Sequence, residues 1–118
     1  MMRLHLPAAT ALAALIALHA PARADDVSTF RLTLKENRFE PAELQVPAGV
    51  RFMLVVKNEG AAAAEFESKE LNAEKIISAG REATIRVGPL TAGRYPFENE
   101  FNTAAKGVIV AVQKTAGE

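Results

Sequence analysis

Thr29-Phe30-Arg31-Leu32-Thr33-Leu34-Lys35 sets the period of this chain. Phe30, Leu32 and Leu34 alternate with Thr29, Arg31, Thr33 and Lys35, and a two-residue period belongs to a strand with one buried and one wet face. Glu40-Pro41 interrupts the pattern, because proline has no N–H to give to a ladder. Leu44 and Val46 resume it up to the turn Pro47-Ala48-Gly49. Val50 to Lys57 is apolar almost throughout, which predicts an interior strand, and Asn58-Glu59-Gly60 ends it. Further on, Glu65 to Ser68, Lys75 to Ser78, Arg81 to Val87, Arg94 to Asn99 and Val108 to Gln113 read as short strands, with Ala83, Ile85 and Val87 pointing inward. Ala61 to Ala64 is too short to hold a helix and reads as a loop. About eight short strands with turns at regular intervals predict an all-β fold, an antiparallel Greek-key β-sandwich.

The N-terminus has a different character. Met1-Met2-Arg3, the apolar run Thr10 to Leu18 and the small-x-small Ala22-Arg23-Ala24 have the layout of a cleavable export signal. This predicts a signal peptide over 1–24 and one domain over 25–118, exported to the periplasm. The apolar run is about half of the roughly 20 residues that cross a bilayer, and no comparable run follows, so no membrane span is expected after cleavage. The chemical consequence is large. The chain has two histidines, His5 and His19, and no cysteine, so processing would leave neither imidazole nor thiolate. Disulfides are excluded, and stability must come from packing. Basic and acidic residues number 14 each, and the loss of Arg3 and Arg23 leaves a net charge of −2. With no basic patch, nucleic acid is not an expected partner. Ser28, Ser68 and Ser78 have no His or Cys to activate them, so binding is a simpler expectation than catalysis.

Phe39-Glu40-Pro41 through Val46-Pro47-Ala48-Gly49, the apolar strand and Asn58-x-Gly60 resemble the opening of small cupredoxins. Gly93-Arg94-Tyr95-Pro96-Phe97-Glu98-Asn99 and Gly107-Val108-Ile109-Val110 resemble their last two strands. Within that superfamily the chain is most similar to the stand-alone cupredoxin-like proteins of bacterial ferrous-iron uptake operons. The resembling stretches are Glu65-Phe66-Glu67-Ser68, Leu71 to Glu74-Lys75, Val87-Gly88-Pro89-Leu90, Glu100-Phe101 and Ala105-Lys106-Gly107. The resemblance implies a cupredoxin fold, iron as the ion, and a membrane iron permease or another periplasmic uptake component as partner. The blue-copper pattern Tyr-x-Phe-x-Cys-x-x-His falls on Tyr95, Phe97, Asn99 and Asn102, so amides replace both the thiolate and the imidazole. The upstream His position falls at or beside Glu65, and the downstream Met position near Lys106 or Gly107. Type 1 copper needs that thiolate and two imidazoles and is excluded.

Carboxylates remain. Glu65 and Glu67 are two apart, as are Glu98 and Glu100, so in extended chain each pair points to one side, while Phe66, and separately Phe97, Asn99 and Phe101, point to the other. Cupredoxin topology would bring the two segments together, and crowded carboxylates that repel one another are relieved by a cation. Oxygen donors suit hard ions: Fe(III), and less selectively Fe(II), Mn(II), Ca(II) or Mg(II). Relatives with this layout often have His where Asn102 stands, and Asn102 still offers a carbonyl oxygen. The metal candidates are therefore Glu65, Glu67, Glu98, Glu100 and Asn102. Glu alternating with Phe also describes the wet face of any antiparallel strand, so a metal-free cupredoxin-fold interaction module stands beside the iron reading. A copper or redox protein with an atypical site is a third, and an assisting role in ferrous-iron oxidation is the most that an enzymatic reading allows. Met53, inside the most apolar strand, is expected to fill the core. Tyr95 is expected at the sandwich edge with its hydroxyl satisfied, and Pro96 at a bulge or edge.

Overall fold

The computed structural model describes residues 2–5, 13 and 27–114. The expected signal peptide over 1–24 lies, apart from residues 2–5 and 13, outside them. Nine strands follow one another: β1 (Ser28–Lys35), β2 (Arg38–Glu40), β3 (Glu43–Pro47), β4 (Phe52–Asn58), β5 (Ala64–Ser68), β6 (Ala73–Ile77), β7 (Glu82–Val87), β8 (Gly93–Asn99) and β9 (Lys106–Val112). They form a four-stranded sheet in the order β2-β1-β4-β7 and a five-stranded sheet in the order β3-β9-β8-β5-β6. The all-β sandwich is the predicted one, and β4 lies inside its sheet as its apolar run requires. The added strand is β2, three residues that pair with the end of β1 before Pro41 stops the ladder. Two pairings are parallel, β1 with β4 and β3 with β9, because the chain crosses between sheets after β2 and again after β3.

The two-residue period has its physical effect in the core. Leu32 and Leu34 from β1, Val46 from β3, Phe52, Leu54 and Val56 from β4, Phe66 from β5, Phe97 from β8 and Ile109 from β9 are buried together. Phe39, Phe66 and Phe97 meet at its centre. The Phe39 and Phe97 ring centroids are 4.9 Å apart at an interplanar angle of 88°, and Phe66 and Phe97 are 5.2 Å apart and tilted by 31°. These edge-on and offset arrangements are the favourable ones for aromatic quadrupoles.

Three side chains test the details. Met53 is not in the core: its neighbours Phe52 and Leu54 take the inward positions, and the pleat leaves Met53 half-buried on the outer face, between Thr29 and Arg86. Reading an apolar strand as uniformly buried overlooked that alternation. Tyr95 packs against the core, and its hydroxyl donates to Thr91 O at 2.7 Å. Pro96 marks the place where β5 and β8 separate. Their ladder consists of Phe66↔Asn99 and Glu67↔Glu98 alone, and beyond it the Ser68 hydroxyl donates to Pro96 O at 2.7 Å.

Gly107 shows how closely the core approaches β9. A Cβ there would strike the Phe97 ring and would lie 2.8 Å from Ala42 O, an oxygen already accepting the Val108 N–H. Neither neighbour can move without disturbing ring packing or a ladder bond. Gly107→Ala is therefore expected to remove about 1–3 kcal/mol of stability through overpacking, seen as a lower denaturant midpoint at unchanged slope. An unchanged midpoint would contradict this packing.

Candidate metal site

The site begins with the pleat of β5. Phe66 is 1 % exposed in the core, so Glu65 and Glu67 must project from the outer face of the five-stranded sheet. On one side β6 pairs in the register Glu67↔Glu74 and Glu65↔Ile76. On the other, β8 pairs Glu67↔Glu98, and Glu100 follows just past the strand end. The Glu100 N–H donates to Glu65 O at 2.8 Å, which holds these two residues side by side.

The result is a convergence of three carboxylates. Glu65, Glu74 and Glu100 each offer an oxygen, and the three oxygens lie within 4.8 Å of one another. Glu74 and Glu100 are exposed, whereas Glu65 is only 6 % exposed. Its Oε1 is buried without a hydrogen-bond partner. Buried polar atoms are almost always paired, so a buried carboxylate oxygen left alone among acidic neighbours is a specific anomaly.

The electrostatics follow from the crowding. The Glu65 carboxyl is pushed up to about 7, first by hydrogen bonding to the Glu74 carboxyl, then to Glu100, then by burial and by the charges of both neighbours. Glu67 is also raised, chiefly by hydrogen bonding to Glu100, then by burial and the charges of Glu100 and Glu74, with Lys69 opposing. Carboxyls crowded in this way hold on to protons because a proton relieves their mutual repulsion. A bound cation would take over that role.

Of the five residues proposed from sequence, Glu65 and Glu100 lie in the converging set and Glu67 adjoins it through Glu100. Glu98 shares their face but stands opposite Glu67 on one side and Lys106 on the other, outside the trio. Asn102 is exposed, and its Oδ1 accepts the Ala104 N–H at 3.3 Å, which engages that oxygen in the turn. Phe101, expected to point inward with Phe97, is 55 % exposed, because the strand ends at Asn99 and the alternation ends with it. Sequence reasoning missed Glu74. Starting β6 at Ala73 gives a four-residue hairpin loop and sets Glu74 opposite Glu67, so the hairpin register was the signal available.

A copper centre of thiolate and imidazoles does not fit these residues. The chain has no cysteine, Asn99 and Asn102 occupy the motif positions of Cys and His, and the orphaned donor is a carboxylate oxygen, a hard ligand. Among the described residues the single histidine, His5, lies outside the nine strands.

The cupredoxin-like domain family matches residues 8–111. An uncharacterized protein of Rickettsia prowazekii (strain Madrid E) is 30 % identical over 87 residues, covering 73 % of this chain and 70 % of that protein. Among solved structures, the metal-binding domain of the Cu(I)-exporting P-type ATPase CopA of Streptococcus pneumoniae D39 is similar with a TM-score of 0.61 at 21 % identity, over 75 % of this chain and 88 % of that one. Auracyanin from Roseiflexus castenholzii gives 0.60 at 16 % identity, over 72 % and 97 %. At such identities these two structures speak for the fold alone. With its nine-stranded sandwich and the family match over most of its length, the chain belongs to the cupredoxin-like domain family.

Proposed function

We propose that this protein is an exported, periplasmic accessory of iron uptake, which holds an iron ion through Glu65, Glu74 and Glu100, with Glu67 adjoining, and passes it to a membrane permease or a second periplasmic component. The observation that supports it most directly is the buried carboxylate of Glu65, its Oε1 unpartnered, converging with two further carboxylates. An all-oxygen donor set favours hard ions over copper. With the three oxygens within 4.8 Å of one another, an inward movement of the two exposed glutamates brings all three onto one ion at the bond lengths of about 2.0–2.6 Å that hard ions take. Iron is preferred among them because of the resemblance to iron-uptake proteins, and removal of residues 1–24 is part of this reading.

Calorimetric titration of the protein purified after export, with Fe(II) under anaerobic conditions, Mn(II) and Cu(II), tests it. One hard ion per chain is expected, with affinity reduced about tenfold or more in Glu74→Gln and unchanged in Glu98→Gln. A preference for copper would overturn the proposal. A second reading, a metal-free interaction module, draws on Ile76 and Phe101, which are 62 % and 55 % exposed beside the acidic cluster. Silence towards every ion would favour that reading.

A further inference from the structure

Asn99 is the residue on which the strand-to-loop transition depends. It is 4 % exposed and ends β8. Its main chain closes the loop that follows: its N–H donates to Ala105 O at 3.0 Å, and its carbonyl accepts the Asn102 N–H at 3.0 Å. Its side chain does something different. Oδ1 accepts two main-chain N–H groups, those of Glu65 at 2.9 Å and Phe101 at 3.1 Å.

The pairing of β5 with β8 shows what this means. After Glu67↔Glu98 and Phe66↔Asn99, the next pair in register is Glu65↔Glu100. In an antiparallel ladder two such residues exchange both of their N–H···O bonds. Here one of the two is present, Glu100 N–H to Glu65 O at 2.8 Å. The other is replaced, since the Glu65 N–H goes to the Asn99 side chain. The chain can therefore turn out of the sheet at Glu100 while Glu65 and Glu100 remain opposite each other. Had Glu65 lost its acceptor, a buried N–H would be left unpaired, and the Glu100 N–H to Glu65 O bond would be left as the one main-chain tie between the two ligand-bearing residues.

We infer that Asn99 is a positioning residue for the carboxylate site: its amide oxygen, bonded to the N–H groups of Glu65 and Phe101, holds Glu65 and Glu100 at the spacing an ion needs. The inference rests on the reading of Glu65, Glu74 and Glu100 as ligands. Asn99 does not itself enter the ligand set. Asn58 provides an internal control. It too is a buried asparagine bonded through its side chain to main chain, here at Ala62 O, Ile77 O and the Gly60 N–H, but it bonds no ligand residue and meets β6 only at Ile77, the far end of the strand from Glu74.

The test uses Mn(II) alone, whose free-ion electron paramagnetic resonance signal is lost on binding, with dissociation constants measured for the folded fraction. Asn99→Leu, similar in size but without an acceptor, is expected to weaken Mn(II) binding about tenfold or more. Asn99→Asp, which keeps the accepting oxygen, should restore it to the wild-type level or beyond. Asn58→Leu should lower stability and leave the affinity of the folded protein unchanged. If Asn99→Leu does not fold, Asn99→Ser, too short to reach both N–H groups, is held to the same threshold. Affinity in the disrupting variant close to wild type, or Asn99→Asp no better than Asn99→Leu, overturns the inference while leaving the ligand set standing. A wild-type protein that binds no Mn(II) removes the ligand reading and this inference with it.

Discussion

Glu65→Gln is expected to lower hard-ion affinity on the order of 100-fold, at or beyond the upper end of what a supporting residue alone contributes, and yet to raise the melting temperature of the ion-free protein at about pH 8. Both effects have one cause. Three carboxylates are held together by the fold, and Glu65 is the buried one. In the folded chain its carboxyl keeps a proton up to about 7, against an ordinary value of 4.5. Between those values the folded state binds more protons than the unfolded state, so stability falls as pH rises through that window. This contribution is complete below 4.5 and lost above about 7. Thermal melts of the ion-free wild type should slope downward over that range, and Glu65→Gln should flatten the slope, leaving the smaller part due to Glu67. Saturating Fe(II) or Mn(II) at about pH 8 should raise the wild-type melting temperature, because a ligand of the folded state stabilises it by mass action. A flat wild-type profile, or undiminished affinity in Glu65→Gln, would contradict the electrostatic account.

Phe66→Ala should cost about 3–5 kcal/mol. Phe66 is 1 % exposed and packs against Phe39, with ring centroids 6.3 Å apart, and against Phe97. Truncation leaves a cavity between two rigid rings, from strands of both sheets, that cannot collapse into it. For a domain whose whole stability is of the order of 5–15 kcal/mol, such a loss brings the chain close to unfolding. Chemical denaturation should show a markedly lower midpoint, with Phe66→Leu recovering most of the loss. Retention of the wild-type midpoint by Phe66→Ala would mean that the aromatic cluster does not hold the sandwich together.

The fold was legible in the sequence because alternation in β1, β5 and β7 and the apolar run of β4 have direct physical causes, and the turn residues fall between them. The pleat of β5 also gave the outward direction of Glu65 and Glu67 correctly. What the sequence could not supply was lateral order. Which strand lies beside β5, and in what register, decides that Glu74 joins Glu65 while Glu98 is matched with Lys106. Local period is silent on such pairings. Met53 and Phe101 fail for opposite reasons. For Met53 the pleat outweighs the polarity of its strand, and for Phe101 the alternation stops where the strand ends at Asn99.

Glu74 rides on β6, a border strand with a single sheet neighbour, β5. Border strands detach at free energies well below that of global unfolding. On the proposed reading, an ion held partly by such a strand has a residence time set by the peeling of one hairpin arm, and its release leaves the sandwich beneath it folded.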